Sequence, residues 1–103
     1  MSVPSATGSL EQLIARLRHE LPRLSTEYAV QSLAIFGSYV RSEQNAASDL
    51  DILVTFAEIP GLIKYIALEQ HLSDMLGLPV DLVMESALRP QIRARIEQEL
   101  QRI

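Results

Sequence analysis

Residues 36–54, FGSYVRSEQNAASDLDILV, form the most informative segment of the chain. It places Asp49 and Asp51 at the start of a run of Leu, Ile and Val, shortly after a Gly-Ser pair. Leu, Ile and Val in such a run are typical of a buried strand, and burying a carboxylate is costly unless something compensates its charge. The two aspartates are therefore candidates for a functional role.

The spacing of the two aspartates predicts a metal site. Side chains alternate along a strand, so Asp49 and Asp51 share one face, with Cα atoms roughly 6.5–7 Å apart. The apolar residues predicted to face the core are Leu50, Ile52 and Val54. Two carboxylates at ~4 Å repel by about 4 kcal/mol at an effective dielectric near 20. A divalent cation removes that repulsion, and a hard ion such as Mg²⁺ prefers oxygen ligands.

A third acid, Asp81, lies in another apolar run over residues 79–84. If this strand lies beside the first one, Asp81 can join the pair of aspartates. Three carboxylates on adjacent strands fit two divalent ions about 3.5–4 Å apart, an arrangement used for in-line phosphoryl and nucleotidyl transfer. For Asp81 the alternative is an ordinary exposed acid on an edge strand.

Gly37 and Ser38 form a candidate phosphate site. Glycine allows close approach of the backbone, and the Ser38 hydroxyl adds a donor. The pair is predicted to start a short helix through about Glu43, whose N-terminus offers free N–H groups and the positive end of the helix dipole. Arg41 would share a helical face with Ser38. The alternatives are a plain turn with an N-cap for the pair and a salt bridge for Arg41.

Length and composition restrict the class of protein to which the chain can belong. Its 103 residues predict one domain over residues 9–103, preceded by a flexible lead-in over residues 1–8. The net charge of −4 argues against a general grip on nucleic acid, so no direct nucleic-acid binding is expected. There is no cysteine and hence no disulfide framework. The N-terminus has no signal-peptide pattern and no apolar run spans a membrane, so a cytoplasmic protein is expected.

Helix signals divide the chain. Ser9 and Gln12 form a capping box that opens a first helix, and Pro22 is predicted to end it. A long helix is predicted after residues 60–61, with Gly77 beyond its end, and a last helix from Pro90 onward. The residues predicted to be buried are Leu62, Tyr65, Ile66, Leu72, Met75 and Leu76 in the long helix, and Ile92, Ile96, Leu100 and Ile103 in the last one.

Strand signals fall between these helices, in the ranges 29–36, 49–56 and 79–84. Together with the short helix after Gly37, they predict the order α-β-α-β-α-β-α. The chain is therefore expected to adopt an α/β (α+β) fold in which a small mixed three-stranded sheet is covered by helices.

These motifs, taken together, resemble the signature of the minimal nucleotidyltransferases of the DNA polymerase beta superfamily. The matching residues are Gly37-Ser38 with Arg41, then Ser48-Asp49-x-Asp51, then Val80-Asp81-Leu82. In that family a Gly-Ser pair opens a short helix, a Ser-Asp-x-Asp strand follows, and a third acid sits on a later strand. The resemblance runs from about residue 10 to the end and implies the nucleotidyltransferase fold.

The resemblance implies a role for each matching residue. Asp49, Asp51 and Asp81 would hold two Mg²⁺ ions, and Asp81 would also help to activate the incoming hydroxyl. The residues that would bind the nucleotide are Gly37, Ser38, Arg41 and Ser48, with Arg41 contacting phosphate or bracing the loop. The implied reaction moves a nucleoside monophosphate from a nucleoside triphosphate, ATP by default, onto a hydroxyl and releases pyrophosphate.

The resemblance also implies a protein partner. Larger enzymes of the superfamily hold the acceptor with a second domain, and this chain is expected to comprise only the core. Minimal nucleotidyltransferases commonly pair with a small helical HEPN-type toxin and serve as its antitoxin. In such pairs the antitoxin silences the HEPN ribonuclease by transferring AMP to a tyrosine. A HEPN-type toxin is thus the expected partner, in a hetero- or homo-oligomer.

One position departs from the family pattern. Ser42 stands where the family usually has Gly after the Arg, and serine tolerates a positive φ less well than glycine. The loop over residues 42–48 is therefore expected to differ in shape. Two alternatives to an active antitoxin remain. One is a module that keeps the fold and neutralises its partner by binding alone, and the other, less consistent with the small size, is a small-molecule transferase of the aminoglycoside-modifying type.

Overall fold

The computed structural model describes residues 9–45 and 47–103, so the lead-in predicted over residues 1–8 lies outside the described part. The elements are α1 (Leu10–Tyr28), β1 (Val30–Phe36), β2 (Leu50–Phe56), α2 (Leu62–Leu76), β3 (Val80–Met84), a 3-10 turn (Glu85–Ala87), α3 (Pro90–Glu97) and β4 (Gln101–Arg102). Within the described residues, no helix has the length and apolar character needed to cross a membrane.

The four strands form one mixed sheet in the order β3-β2-β1-β4. β1 pairs antiparallel with both β2 and β4, and β2 pairs parallel with β3. The predicted fold class is confirmed, because a mixed sheet is packed against helices. The sheet has one strand more than predicted, the two-residue β4, which follows α3.

A single apolar cluster joins α1 and α2 to the sheet. α1 contributes Leu13, Leu17 and Leu24, and α2 contributes Leu68, Leu72 and Leu76. The strand residues predicted to face the core are fully or almost fully buried: Leu50, Ile52 and Val54. The same alternation turns Asp51 away from this cluster, toward the opposite face of the sheet.

The predicted start of α1 is confirmed and its predicted end is wrong. Ser9 and Gln12 form the capping box, with the Gln12 N–H donating to Ser9 Oγ at 3.2 Å. Pro22 lies inside the helix, which continues to Tyr28. The turn beyond Pro22 carries Leu24, which is fully buried, so burial holds the helix together where a proline N–H is missing.

The buried faces of the other two helices also differ from prediction. On α2, Leu62 is 73% and Ile66 is 54% exposed. Leu62, Ile63 and Tyr65 point in three different directions from the first turn of α2, so periodicity did not select one apolar face there. On α3, Ile92 is 45% exposed and the helix ends at Glu97, so its predicted extension through residue 103 is wrong.

The short helix predicted after Gly37 is replaced by turns. The Arg41 N–H donates to the Gly37 carbonyl at 3.2 Å, and the Glu43 N–H donates to the Ser38 carbonyl at 2.9 Å. These bonds close one helical turn without propagating it. Ser42 then takes φ +58°, which reverses the direction of the chain and ends the turn.

Three side chains of α2 hydrogen-bond the backbone of β3. The Tyr65 hydroxyl donates to the Leu82 carbonyl, and the Leu82 N–H donates to Glu69 Oε2 at 2.9 Å. The Val80 N–H donates to Ser73 Oγ at 3.1 Å. The three α2 residues are four positions apart, so they project from one face of the helix. They fix α2 along β3.

Candidate active site

The three predicted acids lie at one end of the sheet. Asp51 of β2 is directly opposite Asp81 of β3 in the parallel register, and adjacent strands are about 4.8 Å apart. Residues opposite each other share a face, so both carboxylates project from the same side of the sheet. Asp49 is exposed and immediately precedes β2, two residues from Asp51. The predicted proximity of Asp51 and Asp81 is confirmed.

Burial and neighbouring acids perturb the carboxyl group of Asp51. Its pKa is raised to about 6, first because partial burial disfavours the charged form and then because of the charges of Asp81 and Asp49. Arg41 acts in the opposite direction and lowers it, and Glu99 adds a further small increase. The site therefore has an excess of negative charge close to Asp51.

Gly37 is pressed against Asp51. Phe36, the last residue of β1, is the register partner of Asp51, so the chain turns directly beside that carboxylate. A Cβ atom added to Gly37 would lie 2.1 Å from Asp51 Oδ2, and the φ of Gly37 is +84°. Only glycine fits both the space and the backbone conformation. The loop that begins at Gly37 is thus held at contact distance from a candidate metal ligand.

Arg41 braces this loop in the structure. Its Nε donates to Glu43 Oε1 at 2.9 Å, and its Nη1 donates to Glu99 Oε1 at 3.0 Å and to Glu99 Oε2 at 3.1 Å. Of the two roles predicted for Arg41, these contacts agree with bracing of the loop. Contact of Arg41 with phosphate stays a prediction.

Glu99 is the residue of the site that the sequence analysis missed. Besides binding Arg41, its Oε2 accepts a hydrogen bond from the Gly37 N–H at 2.6 Å. No short motif surrounds Glu99, and it is 62 positions from Gly37. The only signal was its place in the segment after Ile96, which was predicted to be part of a helix.

Ser38 and Ser48 occupy different surroundings. Ser38 is half-buried and follows Gly37 in the loop beside Asp51. Ser48 closes the turn that leads into β2, because its Oγ accepts from the Asn45 N–H at 2.9 Å and its own N–H donates to the Asn45 carbonyl at 3.0 Å. Binding of nucleotide by either serine stays a prediction.

The residues fit a hard divalent cation by their chemistry. The candidate donors, Asp49, Asp51 and Asp81, are all carboxylates, which Mg²⁺ prefers. The pKa of Asp51 is raised first by partial burial and then by repulsion from Asp81 and Asp49, and a cation would relieve that repulsion. Across residues 9–45 and 47–103, no three acidic, histidine or cysteine side chains converge tightly enough to hold a metal as they stand. Metal binding would therefore require the carboxylates to draw together.

Comparison with known sequences identifies the family of this domain. A family profile described as a nucleotidyltransferase domain matches residues 14–103. Protein adenylyltransferase MntA of Thermococcus cleftensis is 44% identical over 92 residues, which are 89% of this chain and 93% of that protein. The match thus spans nearly the full length of both proteins.

Solved structures share the architecture. The structure of a candidate minimal nucleotidyltransferase is 35% identical, with a TM-score of 0.74 over 90% of this chain and 94% of that chain. A toxin–antitoxin structure with AMP-PNP is 27% identical, with a TM-score of 0.65 over 89% of this chain and 69% of that one. A tri-AMPylated HEPN toxin in complex with an MNT antitoxin, from Shewanella oneidensis, gives 25% identity and a TM-score of 0.57 over 89% and 66%.

Proposed function

The chain belongs to the nucleotidyltransferase domain family, and we propose that it is an antitoxin that transfers AMP from ATP to a tyrosine of a HEPN-type toxin. The observation that carries the proposal is the meeting of Gly37, Asp51 and Asp81 at one end of the sheet. A loop that can approach phosphate lies there against carboxylates that suit a divalent cation. Relatives that are named as adenylyltransferases or solved as toxin–antitoxin complexes support the choice of nucleotide and partner.

Each residue has a distinct task in this proposal. Asp49, Asp51 and Asp81 would hold Mg²⁺, whose role would be to neutralise the charge of the phosphates. Gly37 has no side chain and lets the phosphates approach the backbone beside Asp51, and the Ser38 hydroxyl binds them. Arg41 keeps the loop in shape.

 The carboxylate of Asp81 is exposed, so an acceptor hydroxyl of another chain can reach it. This carboxylate would take the proton of that hydroxyl.

The bonds made and broken follow from these tasks. The acceptor hydroxyl oxygen forms a bond to the α-phosphorus of ATP while the bond from that phosphorus to the bridging oxygen breaks. Pyrophosphate leaves, and the hydroxyl proton passes to Asp81. The protein contributes mainly alignment, because holding the reacting groups in line converts a bimolecular step into an effectively unimolecular one.

The binding-only alternative rested on Ser42. In the structure Ser42 adopts φ +58°, a left-handed conformation that glycine takes most readily. The serine therefore does not prevent the left-handed turn after Arg41. This observation favours the active enzyme over a module that neutralises its partner by docking alone.

The test is the intact mass of the product of the neighbouring gene, after incubation with this protein, Mg²⁺ and ATP. We expect a gain of one or more adenylyl units with the parent protein and none with the Asp49→Asn/Asp51→Asn variant. Asp74→Asn is the matched control, because Asp74 is an exposed aspartate of α2 outside the site. A stable complex without any mass gain would support the binding-only alternative instead.

A further inference from the structure

Glu99 links the C-terminal segment to the loop that begins at Gly37. Its side chain is only 23% exposed, and one of its oxygens accepts the Gly37 N–H at 2.6 Å. Hydrogen bonds to an ionised acceptor are stronger than those between neutral groups. The Gly37 amide, whose hydrogen bond is partly buried, thus has a charged partner.

The same carboxylate also holds the far end of the loop. Arg41 Nη1 contacts both oxygens of Glu99, at 3.0 and 3.1 Å. The loop is further closed on itself by the bond from the Arg41 N–H to the Gly37 carbonyl. One side chain therefore fixes both the first residue of the loop and its arginine.

Glu99 is itself held in place by its neighbours in the chain. Its N–H donates to the Ile96 carbonyl at 2.9 Å, at the end of α3. Just beyond it, β4 pairs with β1, where Gln101 is opposite Ile35, and the Ile103 N–H donates to the Leu33 carbonyl at 3.0 Å. The two-residue strand thus anchors Glu99 beside the end of β1, where Gly37 begins.

We propose that Glu99 is a positioning residue, which clamps the Gly37–Arg41 loop against Asp51 so that a nucleotide held by the loop is aligned with the carboxylates. This inference rests on the proposed function for its effect on turnover. Gly37 touches Asp51 on one side and donates to Glu99 on the other, so a shift of the loop changes its distance from the carboxylate. Small misplacements of reacting groups lower the rate of the chemical step sharply.

The first measurement is amide hydrogen exchange, followed residue by residue by ¹H–¹⁵N NMR without nucleotide or metal. In Glu99→Ala we expect the Gly37 amide to exchange about tenfold faster or more, while β2 amides exchange as in the parent. Glu99→Gln keeps an acceptor oxygen for Gly37 and should restore most of its protection. Glu97→Ala, an exposed acid on α3 that pairs with Arg93, is the matched control.

The second measurement is steady-state adenylyl transfer by the same variants. For Glu99→Ala we expect kcat to fall by about tenfold to a hundredfold, with the KM for ATP within about threefold of the parent, and for Glu99→Gln an intermediate kcat. Glu97→Ala should match the parent. A Glu99→Ala variant with parent-like Gly37 exchange and kcat would overturn the inference, as would a uniform loss of protection throughout β1 and β2, which indicates a purely structural role.

The two proposals fail in different ways. A parent protein that transfers no nucleotide would overturn the proposed function. That result concerns the parent alone and involves no Glu99 variant. The Glu99 inference would then be decided by hydrogen exchange alone. Should Glu99→Ala not fold, Glu99→Gln is compared with the parent instead: it retains the acceptor for Gly37 and removes the charge that binds Arg41, so we expect near-parental Gly37 exchange with a lowered kcat. A parent-like kcat in Glu99→Gln would then overturn the inference.

Discussion

Asp51 carries a charge that its surroundings oppose. Because its folded-state pKa is about 6 and exceeds the ordinary value of 3.8, the native protein binds this proton more tightly than the unfolded chain does. The contribution of protonated Asp51 to the free energy of unfolding is fully present below about pH 4. It is lost as the pH rises through about 6. Without divalent cations, Asp51→Asn should therefore be more stable than the parent at pH 8, by a margin that shrinks toward pH 4.

The measurement is urea unfolding at a series of pH values in the presence of a chelator. Asp74→Asn on α2 serves as the control, and its margin over the parent should not vary in this way with pH. A margin for Asp51→Asn that stays constant from pH 4 to pH 8 would contradict the electrostatic description of the site.

Ser42 holds a backbone conformation that side chains resist. Its φ of +58° lies in the left-handed region, which costs a non-glycine residue roughly 1–2 kcal/mol. Ser42→Gly should therefore raise the free energy of unfolding by about 1 kcal/mol, part of the gain being offset by the greater freedom of glycine in the unfolded chain. Urea unfolding measures this, and Ser42→Ala, which keeps the strain, should show no gain. A less stable Ser42→Gly variant would argue against the left-handed turn.

Among the elements, α1 is the one that carries a proline in its interior, where proline opposes helix formation. Pro22 is exposed and interior to the helix, where a proline costs about 3 kcal/mol relative to alanine. Pro22→Ala restores an N–H that can donate to the Arg18 carbonyl, so we expect the free energy of unfolding to rise by about 1–3 kcal/mol. Ser25→Ala, at another exposed position of α1, should add only a few tenths of a kcal/mol. Equal urea midpoints for the two variants would contradict this expectation.

The strands with clear patterns were predictable, and β4 was not. β1, β2 and β3 combine apolar alternation or burial with flanking Gly or Pro, so local sequence specifies them. β4 consists of Gln101 and Arg102, two polar residues whose pairing with β1 depends on the rest of the sheet. The prediction of a helix after Gly37 was wrong because the chain makes a single turn that ends at the left-handed Ser42, so no helix propagates from it.

The candidate site shows the same division between local and long-range information. Asp51 and Asp81 were predictable as neighbours, because alternation sets their face and a parallel pairing of their strands brings them together. Glu99 was not predictable, because its contact with Gly37 joins residues 62 positions apart and depends on β4. Short motifs identify the groups that would bind ligand, and the folded chain supplies the residue that holds them.

Ligand binding should stabilise the molecule as a whole. A ligand that binds only the native state at about 100 times its Kd raises the free energy of unfolding by about 2.7 kcal/mol, which for a domain of this size is a Tm shift of roughly 10 °C. We expect a shift of this order with Mg²⁺ and ATP together in the parent, and little or none in Asp49→Asn/Asp51→Asn. Differential scanning calorimetry with Asp74→Asn as the control provides the measurement. Equal shifts in parent and double variant would contradict the metal-site proposal.

The hydrogen bonds from α2 cover the outer edge of β3. An outer strand normally presents unpaired backbone groups, onto which another chain can add a strand, and this is a route to aggregation. On β3, Tyr65, Glu69 and Ser73 already bond such groups. At the opposite margin of the sheet, β4 has only two residues to offer. Association of this protein is therefore expected to proceed through side-chain surfaces, without extension of its sheet into a neighbour.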